Sequence, residues 1–258
     1  MRDGINGGTL GTWIKLSSPE SVEIMAHAGF DFVVIDLEHT TLDLGAASTH
    51  IAMARALGLD PLVRVPDHGL SVIQRVLDAG AAGVVVPHVD TVEQARAVVR
   101  ATRFPPRGDR GSGGTSRAGR WGLLPRADYL EYGNEQALCV VQLESEVAIR
   151  NTREILALDG IGAAFVGTAD LSMSMGVAAG SDEVDRDELD RLSTSALAAA
   201  AAAGVPICTA SATSDQARAA LTRGYDYVVV SNDTSILANG GRAIVNALKA
   251  PVAERVAR

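Results

Sequence analysis

Lysine is nearly absent from this chain: Lys15 and Lys249 are the only two among 23 basic residues, and arginine supplies the rest. A reaction through a lysine Schiff base therefore has two candidate residues. Cysteine is as sparse, with Cys139 and Cys208 set inside apolar runs, where buried structural thiols are expected rather than a disulfide or a nucleophile. No apolar run reaches the length of a membrane span, and the opening MRDGINGGTLGTWIK lacks the apolar core of a signal peptide, so a cytoplasmic protein is expected. The net charge of −8 argues against a nucleic-acid or anionic-membrane surface, which would need a basic stripe. A small acidic metabolite stays open, because a few local arginines suffice to bind it.

What the chain has in quantity is one repeated unit. The segments AHAGFDFVVID, LDAGAAGVVVP, LDGIGAAFVG and TRGYDYVVVS each read as a helix end, a glycine and a buried strand, with Gly29, Gly80, Gly160 and Gly224 where a left-handed cap is needed. With TWIKL, ALGLDPLVRVP, LCVVQLES and AAAGVPICTA, eight strands are expected at 12–16, 32–38, 61–66, 83–89, 138–145, 162–167, 205–210 and 225–231. Amphipathic stretches such as SPESVEIMAHAG, with Ser18 as N-cap, and TVEQARAVVRATR fill the gaps. Strands alternating with helices imply parallel pairing and right-handed crossovers, and eight units in 258 residues predict a single (β/α)8 TIM barrel over 1–258. A doubly wound sheet would want a glycine-rich turn after an early strand, whereas the candidate RGSGGTSRAGR follows a helix.

One connection is too long for the repeat. Residues 104–137 carry prolines, glycines and five arginines, among them Arg110, Arg117 and Arg120, and are expected to form an excursion over the active site or a subunit interface.

Active sites of such barrels lie at the C-terminal ends of the strands. There the sequence sets Lys15, then Asp36, Glu38 and His39, then Arg64, His88, Gln142 with Glu144, Asp170, and Ser231 to Asp233. Alternation puts Val33, Ile35 and Leu37 on the helix side and Asp36, Glu38, Arg64, Gln142 and Glu144 on the inner side. Glu144 and Asp170 are hard oxygen donors from adjacent strands and suit Mg²⁺ or Mn²⁺; the alternative is a pair of solvated strand-end carboxylates. Arg64 has the geometry to bind a substrate carboxylate, or to close an internal salt bridge with Asp36 or Glu38. His39, three residues after Asp36, has the parts of a general base oriented by a carboxylate, or of a helix cap. His88 reads as structural ahead of a supporting place beside the site, His27, His50 and His68 as surface or packing residues, and Lys15, which could reach the mouth, as exposed or paired.

The ordered set D-x-E-H, V-R, Q-x-E and G-x-A-D-L-S, carried by FDFVVIDLEH, LVRVP, VVQLES and FVGTADLSMSMG, resembles the HpcH/HpaI family of metal-dependent class II pyruvate aldolases over nearly the whole chain. The resemblance implies a phosphoenolpyruvate/pyruvate-type barrel with its last helix exchanged between subunits, in a homohexamer built as a trimer of dimers. It implies that Glu144 and Asp170 bind a divalent cation (Mg²⁺, Mn²⁺ or Co²⁺), that Arg64 and Gln142 meet pyruvate, and that the backbone of Ala169 and Asp170 takes its carboxylate. His39 with Asp36 would form the acid/base dyad, Glu38 would support it, and Asp78 would reach a neighbouring subunit's metal site. The implied reaction is cleavage of a 4-hydroxy-2-oxo acid to pyruvate and an aldehyde. Thr168 replaces the family's usual proline, and Lys15 stands where small residues are common. Oxaloacetate decarboxylation, a biosynthetic addition by the same enolate, an acyl-thioester lyase and a non-catalytic keto-acid-binding barrel are the alternatives.

Overall fold

The computed structural model describes residues 10–176 and 186–249; the remainder of the expected 1–258 domain lies outside them. The strands β1 (Leu10–Ile14), β2 (Phe32–Asp36), β3 (Asp60–Arg64), β4 (Gly83–Val86), β5 (Leu138–Leu143), β6 (Ala163–Val166), β7 (Ile207–Ser211) and β8 (Tyr227–Asn232) pair in parallel in sequence order. The barrel closes where β8 pairs with β1. All eight strands expected from the repeat are present.

Between them run α1 (Glu20–Ala28), α2 (Leu44–Ala56), α3 (Leu70–Asp78), α4 (Val92–Thr102), α5 (Arg126–Glu135), α6 (Glu146–Arg150), α7 (Thr152–Leu156), α8 (Thr168–Ser174), α9 (Arg186–Ala203), α10 (Ser214–Arg223) and α11 (Asp233–Lys249). Gly29 and Gly224 close α1 and α10 with φ of 95° and 104°, as the glycine pattern requires. Ser18 does not cap α1: the helix starts after Pro19, and the Ser18 hydroxyl donates to Glu20 instead. Among the described residues no helix is long and apolar enough to cross a membrane.

Strand alternation divides the core into two shells. Ile14, Val33, Ile35, Val63 and Val84 pack outward with α1 to α4, while Trp13, Phe32, Val34, Leu62, Val85, Val140 and Phe165 fill the barrel. Cys139 and Cys208 are buried and free, and burial pushes the Cys139 thiol up to about 11 and the Cys208 thiol higher than its usual range, as structural thiols require.

The long excursion does not cover the mouth of its own barrel. It joins the end of α4 to the start of β5, and a helix-to-strand connection emerges at the N-terminal face, opposite the site. Arg103 fixes it there by donating to the carbonyls of Ala137 at 2.8 Å and Gly160 at 3.1 Å. Nor is it all loop, since it contains α5.

Candidate functional site

The floor of the mouth is aromatic. Trp13 meets Phe165 edge to face at 5.7 Å, and the Arg64 guanidinium lies 4.3 Å above the Trp13 ring centre. Arg64 ends β3 beside Asp36 at the end of β2, in register with it. Its Nε donates to Asp36 Oδ1 at 3.0 Å and its Nη2 to Oδ2 at 2.8 Å, while Nη1 lies 3.0 Å from Glu38 Oε2. Both the arginine and Asp36 are buried. An arginine has five N–H donors, so two remain for a ligand after these contacts.

Asp36 also ends its strand. Its Oδ1 accepts the backbone amides of Glu38 at 3.1 Å and His39 at 3.2 Å, turning the chain two residues earlier than expected. Lys15 Nζ donates to Oδ2 at 2.6 Å. Burial raises the Asp36 carboxyl, but Arg64 and then Lys15 outweigh it and bring the group down to about 2.

Among the described residues the Asp36 carboxylate makes no direct contact with the His39 ring. Asp36 meets His39 through the backbone, and the carboxylate beside the His39 ring is Glu38, with Oε2 3.6 Å from Nε2. Glu38 also lies 3.4 Å from His88 Nε2.

His88, read from the sequence as structural, joins the two halves of the site. Its amide donates to Glu144 Oε1 at 2.7 Å, and its Nδ1 lies 2.9 Å from the same oxygen. It does so from a left-handed conformation, φ 54°, which costs a non-glycine residue about 1–2 kcal/mol. The sequence signal was limited to a histidine following the proline that ends an apolar strand.

Glu144 follows β5 and is buried; Gln142 Nε2 donates to its Oε2. Burial foremost, with Asp170 adding, raises the Glu144 carboxyl above its usual range. A Cβ on Gly167 would sit 3.0 Å from Glu144 Cβ and Oε2, so the bare glycine leaves that carboxylate its place. Asp170 stands in the first turn of α8 with Ala169, where backbone amides have no intrahelical acceptor.

The residues present fit a divalent cation. Lys15 and Arg64 pair with Asp36 and Glu38, while Glu144 feels the like charge of Asp170 beside it, a pair that a cation would relieve. The buried Gln142 Oε1 has no hydrogen-bond partner among the described residues. No cluster of three or more His, Cys, Asp or Glu is arranged around one point among those residues, and Mg²⁺ is commonly held by one or two carboxylates with water and substrate completing its shell.

Asp78 lies apart, at the end of α3. Its Oδ1 accepts from Arg110 Nη2 at 2.7 Å and from the Tyr129 hydroxyl at 3.2 Å.

The family model for HpcH/HpaI aldolase/citrate lyase matches residues 9–240. A 4-hydroxy-2-oxovalerate aldolase of Rhodococcus jostii is 40% identical over 91% of this chain and 89% of its own. A hydroxypyruvate/pyruvate aldolase of Deinococcus radiodurans is 37% identical over 93% and 85%. Among solved structures, an HpcH/HpaI aldolase/citrate lyase family protein from Burkholderia cenocepacia superposes with a TM-score of 0.87 at 33% identity, covering 94% of this chain and 95% of that one.

Proposed function

The chain belongs to the HpcH/HpaI aldolase/citrate lyase family, and from that premise we propose how its own residues divide the work of a class II pyruvate aldolase. It is an aldolase of the carbon–carbon lyase type, cleaving a 4-hydroxy-2-oxo acid to pyruvate and an aldehyde through a pyruvate enolate. The observation that carries the assignment of roles is Arg64, locked on Trp13 by Asp36 and Glu38 with two donors unspent, across the mouth from Glu144 and Asp170.

Arg64 holds the 2-oxo acid and stabilises the oxygen on which enolate charge develops. The first-turn amides of Ala169 and Asp170 take the carboxylate, and Gln142 lines the site beside Glu144. Glu144 and Asp170 would hold the divalent cation, which when bound supplies Lewis-acid stabilisation of developing negative charge. His39 accepts the 4-hydroxyl proton, directly or through one water, with Glu38 beside its ring; the C3–C4 bond then breaks, its electron pair staying with the pyruvate fragment. Asp36 anchors Arg64 and the turn that carries His39.

In solution the chain assembles as a hexamer with α11 exchanged between partners, and Asp78 meets a neighbour's site. The support is that α11 makes its main contacts in this chain with β1 and β8 and leaves Leu237, Ile244 and Leu248 exposed. Sedimentation of the paired variant Leu237→Asp, Ile244→Asp tests it: monomers support the exchange, and an unchanged assembly overturns it.

The activity is tested by incubating the purified protein with Mg²⁺, Mn²⁺ or Co²⁺, pyruvate and a panel of aldehydes. Aldol product and exchange of the pyruvate C3 protons are expected. Absence of both with every metal refutes the reading.

A further inference from the structure

Asp36 is more heavily held than one arginine requires. Its Oδ1 accepts Arg64 Nε and two backbone amides, and its Oδ2 accepts Arg64 Nη2 at 2.8 Å and Lys15 Nζ at 2.6 Å. A carboxylate offers about four lone-pair sites. The five donors therefore fill it, and Asp36 has nothing left with which to orient a histidine.

Lys15 is aimed at this point by its backbone. Its amide donates to Asp233 Oδ1 at 3.0 Å and Oδ2 at 3.1 Å, and the Leu16 amide donates to Oδ2 at 3.0 Å. Asp233 is itself buried at the root of α11 and takes the Ser21 hydroxyl at 2.6 Å. Strand alternation also turns Lys15 to the same side as Trp13, above the barrel interior.

Charge gives the lysine its purpose. Arg64 touches two carboxylates, so without Lys15 the group of Arg64, Asp36 and Glu38 carries one net negative charge and repels an anionic ligand. With Lys15 on Asp36 the group is neutral, and the Arg64 donors that Asp36 and Glu38 leave unused no longer sit in a net negative group. We propose that Lys15 is a positioning residue for substrate capture: it compensates Asp36 so that Arg64 can bind a 2-oxo-acid anion. The proposal rests on the reading of Arg64 as the 2-oxo-acid holder. It assigns the only lysine at the mouth an electrostatic role and no covalent one.

The experiment compares the full chain with Lys15→Met, Lys15→Arg and Arg64→Lys, all supplemented with Mg²⁺. It reads pyruvate affinity by calorimetry and the steady-state cleavage of 4-hydroxy-2-oxovalerate. A unit charge acting across the mouth at an effective dielectric near 20 is worth roughly tenfold in anion binding, so Lys15→Met should raise both the pyruvate Kd and KM by about that factor. Its kcat should fall by less than KM rises, because the ligand is an anion in ground and transition states alike and only the charge on the enolate oxygen grows between them. Lys15→Arg should restore both constants, and Lys15→Gln should not; a purely structural hydrogen bond to Asp36 would be kept by either. Should Lys15→Met fail to fold, Lys15→Gln, which keeps a donor without the charge, should show the same rise in KM.

Pyruvate affinity lost in Arg64→Lys but unchanged in Lys15→Met overturns the proposal and leaves the Arg64 reading standing. Affinity unchanged in Arg64→Lys removes that reading and this one with it. Borohydride trapping of pyruvate on Lys15 also overturns it.

Discussion

Arg64 grips Asp36 through two parallel hydrogen bonds, Nε to Oδ1 at 3.0 Å and Nη2 to Oδ2 at 2.8 Å, with both side chains buried. The sequence left Arg64 two readings, an internal salt bridge or a substrate arginine, and the geometry joins them. The salt bridge spends one edge of the guanidinium and orients what is left for a ligand.

Acid stability follows from that pair. The Asp36 carboxyl lies at about 2 in the folded protein, against an ordinary 3.8, so ionised Asp36 contributes stability above its unfolded value, and this is lost as pH falls from about 4 through about 2. The contribution is about 2 kcal/mol. Urea titrations between pH 6 and pH 2.5 should show this loss in the parent and a reduced pH slope in Asp36→Asn. Equal slopes would remove the role given to Asp36.

The metal site makes a separate prediction. Glu144→Gln should abolish calorimetric binding of Mn²⁺, and a chelator should remove activity that Mg²⁺ restores. Because burial raises the Glu144 carboxyl, it takes up a proton at a higher pH than an ordinary glutamate. Metal affinity should accordingly begin to fall above the usual glutamate range as the solution is acidified. Affinity flat down to pH 4 would contradict the assignment.

His88→Ala removes the ring contact to Glu144 Oε1 and keeps the backbone one. A group that orients a ligand typically costs 10–100-fold in metal affinity when lost, so binding should weaken by roughly tenfold. Unaltered binding would return His88 to the structural role expected from sequence.

That last residue marks where sequence reading stopped. Repeats and glycine caps were sufficient for the barrel, because each unit is a local pattern. Alternation placed Arg64 and Gln142, which lie within strands, and Lys15 is paired with Asp36, one of the readings its position allowed. At Glu38 it gave the right side, against Arg64, but the wrong strand length, since the Asp36 side chain turns the chain before that residue is reached. His88 depends on a left-handed backbone that no periodicity encodes. The excursion was misplaced over the active site, although the order of elements puts any helix-to-strand connection at the face away from it.

Asp78 supplies the last prediction, and it separates two roles. Within the chain its carboxylate is the salt-bridge partner of Arg110, which is buried over Phe104 with its Cζ 4.5 Å from the ring. Asp78→Ala leaves that cation without its carboxylate, at a cost of about 3–5 kcal/mol. Replacing both residues, Asp78→Ala with Arg110→Met, should recover part of the loss, because no stranded charge remains. If Asp78 serves only a neighbouring subunit's site, the single variant should lose activity at unchanged stability, and the double variant should recover nothing. Chemical denaturation of the three variants, read beside their activity, distinguishes the two.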